Sequence, residues 1–276
     1  MTVINTNLKA LAVKGAQVVN QRDLSDAMQQ LSTGRRINGA ADDAAGLAIR
    51  NKMGAQIRSL DMSVRNSNDG ISLLQTADAA TAQVTSMLVR VRELAIQSAN
   101  DTYNDDQRDA LNTEATELMK ETLNILENTQ WNNMKLLKGE PGKDGAVKFQ
   151  VGAFGADVVN ISMEDLSANT DMAAMQSLDI STQSGANDAI GAAELAMNYL
   201  DGQRSKWGAV TNRLVHAADN SSNVALNTRA ARSRIDDTDY AKTTAELART
   251  LILDRAGTAM LAQANQQPAY VLALLR

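Results

Sequence analysis

The chain has 276 residues, a formal net charge of -5 and no cysteine, which suits one large or two modest folding units and excludes disulfide and thiolate chemistry. A balanced, slightly acidic charge argues against nucleic acid as a partner, because a phosphate-binding face needs a basic excess. Only 3% of the residues are aromatic while 44% are hydrophobic, and a chain resting on Ala, Leu, Val, Ile and Met favours helices packed along thin seams over a bulky globular core.

The first ten residues lack the basic, apolar, small-residue order of a cleavable signal. No run approaches the roughly eighteen apolar residues of a membrane-spanning helix. Ile4, Leu8, Leu11 and Val18 recur near heptad spacing, and Leu24, Met28 and Leu31 follow after a phase slip, so the chain opens on an amphipathic helix. Arg35-Arg36 reads as a solvated loop feature. Asp42-Asp43 suits helix capping better than a cation site, since no calcium-loop glycine pattern accompanies it. Leu74, Ala77, Thr81, Val84, Leu88, Val91, Ala95 and Ser98 keep a strict three-four spacing and predict a long second helix. A third spans about Asp106 to Asn128, with Leu111, Ala115, Leu118, Thr122 and Ile125 on one face and Asp105 and Asp106 as caps.

Pro141-Gly-Lys-Asp-Gly145 makes a turn. Alternation at Val147, Phe149 and Val151, a turn over Gly152–Asp157 and a run from Val158 to Met163 then predict a β-hairpin near 145–163. The Ser-, Thr-, Asn-, Asp- and Gln-rich stretch from Ser167 to Asp188 reads as a surface loop. From Ile190 to Ile235, twelve of fourteen positions at three-four spacing are apolar or small, which puts one stripe on a helix roughly 65 Å long. Asp236-Asp237-Thr-Asp239 again suits capping and loop ion pairs. Leu247, Leu251, Ala256 and Met260, then Val271, Leu274 and Leu275, repeat the pattern of the N-terminus. A single amphipathic helix is marginal in water. The two ends therefore either pair with each other inside one chain or stay loose until other copies supply apolar surface. The fold class that follows is mainly α: a long antiparallel helical rod bundle with a small β-hairpin region and terminal coiled-coil helices.

Several stretches also resemble the bacterial flagellins. Val3-Ile-Asn-Thr-Asn7 looks like that family's opening, and Leu31-Ser-Thr-Gly-Arg-Arg-Ile-Asn-Gly-Ala-Ala-Asp-Asp-Ala-Ala-Gly-Leu-Ala-Ile49 is similar to its most distinctive stretch. Asp69-Gly-Ile-Ser-Leu-Leu-Gln-Thr76, Arg90-Val-Arg-Glu-Leu-Ala-Ile-Gln97, Asn212-Arg-Leu214 and Leu261-Ala-Gln-Ala-Asn-Gln266 continue the likeness. It covers about residues 1–137 and 190–276. Departures are local: Gly39 stands where Ser is usual, Trp131 where Phe is usual, and Asn133 where Gly is usual, and Trp207 and Thr211 also depart near the Asn-Arg-Leu motif.

The resemblance implies a structural subunit that polymerises with copies of itself into an extracellular flagellar filament. Both ends would form an inner coiled-coil tube domain (1–44 with 236–276), the middle a rod domain (45–235), and no outer domain would be present. Polymerisation would rest on Ile4, Leu8, Leu11, Val18, Leu24, Met28, Leu31, Leu247, Leu251, Met260, Val271, Leu274 and Leu275. Implied partners are the type III export apparatus, an export chaperone, and the hook-associated junction and cap proteins. Arg90, Leu94 and Glu114 match positions where related flagellins meet Toll-like receptor 5. Arg90 and Leu94 lie off the 74–98 stripe, where a monomer would expose them. A minor axial protein such as the hook–filament junction protein is the alternative, with similar ends but a weaker likeness. An enzyme is disfavoured: His216 is the only histidine, and no nucleophile–base pair, metal-ligand spacing or phosphate-cradling loop occurs. No cofactor is expected.

Overall fold

Proline is confined to positions 141 and 268, so no proline interrupts a helix over the first half of the chain. The computed structural model describes residues 6–142 and 145–273, with side chains described as far as Gln266. Among the described residues the helices are α1 (Leu8–Thr33), α2 (Ala44–Ser98), α3 (Asp105–Asn128), α4 (Thr170–Gln176), α5 (Gln183–Asp236) and α6 (Tyr240–Ala273). The strands are β1 (Gln130–Trp131), β2 (Met134–Lys135), β3 (Ala146–Gln150) and β4 (Val158–Ser162). Two compact units result, Met1–Ala55 with Asn227–Arg276 and Gln56–Leu226, and their boundaries fall within α2 and α5.

The central unit is organised around α2. Salt bridges from Arg90 to Glu114 (2.9 Å) and from Arg204 to Asp78 (2.7 Å) tie it to antiparallel neighbours α3 and α5. Every member of the 74–98 stripe is buried, from Leu74 to Ser98. The polar members cost little, because Thr81 Oγ1 donates to the Ala77 carbonyl (2.8 Å) one turn back. On α5 the predicted stripe also faces inward. Ala193, Leu200, Trp207 and Leu214 are buried, and none of its positions between Ile190 and Ile235 is fully exposed. The α3 face is turned slightly from its predicted line: Met119 and Leu126 are buried beside Ala115 and Thr122, while Leu111, Leu118 and Ile125 are half-buried.

Where α2 ends, buried Arg108 takes up the orphaned carbonyls. Its guanidinium donates to Ser98, to Asn100 (3.1 Å) and to Tyr103 (3.4 Å). The cap of α3 is Asn104, not Asp105 or Asp106. Its side chain accepts from Gln107 N while Gln107 Oε1 accepts from Asn104 N, a reciprocal capping box. The two aspartates occupy the first turn instead, where they face the positive end of the helix dipole.

β3 and β4 form the expected antiparallel hairpin, with Phe149 opposite Val159. A second, unforeseen hairpin pairs β1 with β2, and its turn residues Asn132 (φ 47°) and Asn133 (φ 65°) both lie in the left-handed region. Such a turn selects Gly or Asn, which explains why Asn serves at 133. The polar stretch after Ser167 is not a simple surface loop. It contains α4, capped by Asn169, and Met172, Met175 and Ile180 are buried. Three apolar side chains suffice to seat a polar segment on the core, and composition hides them.

Candidate assembly surface

The terminal unit pairs α1 with α6 in antiparallel fashion. Asn7 Nδ2 donates to the Ala264 carbonyl (2.8 Å), Asn20 Nδ2 to that of Thr250 (2.9 Å), and the Tyr240 hydroxyl to that of Leu31 (3.4 Å). Asn7 also caps α1 by accepting from Ala10 N (3.1 Å). In this structure, then, the two ends pair with each other within one chain.

The seam itself is poor in large apolar groups. On α1 it runs through Ala10, Val13, Gln17, Asn20, Leu24, Ala27 and Leu31, of which only Ala27 is fully buried. On α6 it runs through Thr243, Leu247, Thr250, Asp254, Gly257, Leu261 and Ala264. Leu24, Leu31 and Leu247 therefore help to close the pair. Leu8 (64% exposed), Leu11, Val18 and Met28 on α1, with Leu251 and Met260 on α6, face outward. Val19, Ile252 (68% exposed) and Leu253 join them. Sequence reasoning missed these three. The signal was present in the runs Val18-Val19 and Leu251-Ile-Leu253, since adjacent residues on a helix cannot share one narrow seam. A groove of about 700 Å³ lies beside the pair, with Leu11 and Val18 from α1 and Leu261 from α6 in its wall. Ile4, Leu274 and Leu275 lie outside the described residues, as does the side chain of Val271.

The turn that follows α1 is bolted to the turn that precedes α6. Gly34 ends α1 in the left-handed region (φ 69°) and its carbonyl accepts from Thr238 N (3.0 Å). Arg36 donates its backbone N–H to the Asp236 carbonyl (2.6 Å) and its guanidinium to the Ile235 carbonyl (2.6 Å). Arg35 lies 3.9 Å from the Asp236 carboxylate. The arginine pair is solvated, as read from the sequence, but it also acts as a latch, and composition could not reveal that its partners lie some two hundred positions away. Buried Asp236 is held by Arg50 at 3.1 Å.

The other acidic clusters do capping work. Asp43 Oδ1 accepts from Gly46 N (2.8 Å) at the start of α2, and Asp239 Oδ1 accepts from Ala241 N (3.0 Å) at the start of α6. Backbone N–H groups of Gly39 and Asn38 hold the Asp42 carboxyl below its ordinary pKa. The Arg249 guanidinium does the same for Glu246 on the outside of α6.

In the central unit Arg90 and Glu114 are half-exposed and bonded to each other. Leu94 corrects the expectation of exposure, for it is 1% exposed. The reason is that α2 is covered from two sides at this level. Ser98 Oγ donates to the Ile180 carbonyl (2.5 Å), Gln183 Nε2 donates to that of Ala99 (3.1 Å), and Arg90 binds α3. The buried arc is therefore wider than one three-four stripe.

Comparisons with known proteins agree with this architecture. Family models for the bacterial flagellin N-terminal helical region and the bacterial flagellin C-terminal helical region match residues 4–141 and 190–275. A flagellin of Halalkalibacterium halodurans is 44% identical over 274 residues, covering 99% of this chain and 100% of that protein. A flagellin of Bacillus subtilis is 39% identical over 302 residues, covering 99% of each. Among solved structures, the crystal structure of Bacillus cereus flagellin aligns with a TM-score of 0.51 at 28% identity, over 57% of this chain and 88% of that one.

Proposed function

Because this chain belongs to the bacterial flagellin family, the subunits of the extracellular flagellar filament, we propose that the outward face of its paired terminal helices is what joins one copy to the next. The observation that carries this reading is the inversion within α1 and α6: the fully buried seam residues are Ala27, Thr243, Thr250 and Ala264, with a few half-buried leucines beside them, while Leu8, Leu11, Ile252 and Met260 face outward. A fully buried aliphatic side chain is worth roughly 1.5–3 kcal/mol. The outward aliphatics are already about half covered, so burying the set gives on the order of 10 kcal/mol before ordering costs. Contacts that repeat without closing generate an open helical tube.

On the same reading both ends form an inner tube domain (1–44 with 236–276) and the middle a rod domain (45–235), bounds that lie about ten residues closer to the ends than those of the two compact units. The chain holds only residues 142–189 between its two matched regions, which leaves no room for an outer domain and favours a thin, smooth filament. A seam this poor in apolar contacts is marginal alone, so the ends melt readily in the free monomer, as threading through a type III export channel requires. An export chaperone on the C-terminal segment, and hook-associated junction and cap proteins at the filament ends, complete the partners. The role is structural, not catalytic. Arg90 and Glu114 are available on a monomer for Toll-like receptor 5, whereas Leu94 would have to act through the shape of the helix that it anchors.

Seeded polymerisation followed by electron microscopy tests the reading. Full-length chain should elongate seeds, and a version lacking residues 1–35 and 242–276 should not. Elongation by both would place the contacts in the central unit and overturn it.

A further inference from the structure

The sequence contains a single Asn-Gly step, Asn38-Gly39, and it lies in the connection between α1 and α2. An asparagine followed by glycine is chemically fragile, because the next residue has no Cβ to keep its backbone nitrogen away from the side-chain carbon. Four hydrogen bonds hold this step. Asn38 Oδ1 accepts from Thr33 Oγ1 (2.8 Å), Asn38 Nδ2 donates to the Arg35 carbonyl (2.9 Å), and Gly39 N donates to Asp42 Oδ2 (2.8 Å). Asn38 N donates to the same Asp42 oxygen (2.8 Å).

We propose that Asn38 is a latent deamidation site, that the folded connection keeps it unreactive, and that Asp42 is the residue chiefly responsible.

The chemistry requires the Gly39 backbone nitrogen to lose its proton and bond to Asn38 Cγ. The bond from Cγ to Nδ2 then breaks, and ammonia leaves with that proton. The resulting succinimide is opened by water at either carbonyl, giving aspartate or isoaspartate. The net change is amide plus water to acid plus ammonia, with no oxidant or reductant involved. The two bonds on the Asn38 amide and the one on the Gly39 nitrogen oppose the first step. Asn38 is clamped at both ends of its amide, so Cγ cannot swing toward the Gly39 nitrogen. The Gly39 N–H is engaged, and an anion at that nitrogen would form beside the Asp42 carboxylate, a like-charge contact that disfavours it. The Asp42 carboxyl is held below its ordinary pKa by these two N–H groups, which makes it a poor base for removing the proton.

The product would not fit the same loop. An acid at position 38 has no N–H to give the Arg35 carbonyl, and it adds a carboxylate to a loop that already holds Asp42. Opening of the terminal unit thus exposes a reaction whose product resists re-closing, and a chain that stays unfolded too long loses hydrogen bonds that hold its α1–α2 connection. This inference does not depend on the assembly reading.

The test is a time course at pH 8 and 37 °C on the full-length chain, with peptide mapping by mass spectrometry for aspartate and isoaspartate at position 38. Native protein, protein in concentrated urea and Asp42→Ala are compared, with circular dichroism confirming that the variant is folded. Native protein should react at least about tenfold more slowly than the urea-unfolded chain, because tenfold needs only about 1.4 kcal/mol of local opening free energy. Folded Asp42→Ala should fall between the two. In urea, Gly39→Ser should slow the reaction and Asp42→Ala should leave it unchanged. Equal rates for native and unfolded chains would overturn the protection, and folded Asp42→Ala matching native would remove Asp42 from it. If Asp42→Ala fails to fold, Thr33→Ala, which removes one clamp on Asn38, carries the same comparison. No product at position 38 in urea would overturn the site.

Discussion

The central and terminal units are built from the same residue types and use them in opposite ways. In the central unit Leu74, Leu88, Val91 and Leu214 are turned inward and no more than 1% exposed. In the terminal unit Ala27, Thr243, Thr250 and Ala264 occupy the inside while Leu8, Leu11, Ile252 and Met260 face out. Stability follows the apolar area taken from water, so the first unit takes up its large apolar side chains within one chain and the second leaves many of them exposed. Composition does not separate the two cases. The phase of the large apolar residues relative to the seam does.

Truncating the inner stripe is the largest way to test that contrast. Leu88→Ala should cost the central unit about 2–5 kcal/mol, read as a lower main transition in calorimetry. A cost near zero would mean that the central core is not what holds the unit. Next comes the latch. Asp236 is 5% exposed, and Asp236→Ala removes the carboxylate that pairs with Arg50, which keeps the Ile37 carbonyl (2.7 Å), so about 2–3 kcal/mol should be lost from the terminal unit. Hydrogen exchange should speed up in α1 and α6 and stay unchanged around Leu88. Acceleration everywhere would show that the two units do not respond independently.

Acid should sharpen the same division more gently. The Asp42 and Glu246 carboxyls are held below their ordinary pKa by backbone N–H groups and by Arg249 respectively. A pKa depressed by folding adds stability above the unfolded value, near 4, and that stability is lost as pH falls through the folded value. Exchange protection at residues 34–46 should therefore drop as pH is lowered beneath about 4, and a rise would contradict the assignment. The smallest effect belongs to Ile252→Ala, which should leave monomer stability within about 0.5 kcal/mol. A loss as large as that at Leu88 would place Ile252 in a core.

Much of this was legible in the sequence, for a physical reason. The 74–98 and 190–235 stripes could be read because a helix facing one dense core must repeat at three-four spacing, and no proline interferes. The β3–β4 hairpin announced itself by alternation. What the sequence hid were arrangements decided by distant partners. Leu94 is buried because two other elements meet over α2. Arg36 is a latch because Ile235 and Asp236 arrive from the far end of the chain. Met172, Met175 and Ile180 seat a segment whose composition is that of a loop. The terminal residues were readable as apolar, but their direction was not. Leu8 and Leu24 look alike in sequence, and only the position of α6 makes one outward and the other part of the seam.

The most direct measurement is seed elongation by a chain carrying serine at Leu8, Leu11 and Ile252, set beside its monomer circular dichroism and thermal transition. The account predicts a monomer with unchanged helix content and melting that fails to elongate seeds at concentrations where the unaltered chain does. Elongation at the unaltered rate would contradict it, because the outward face of the terminal helices would then carry no contact between copies.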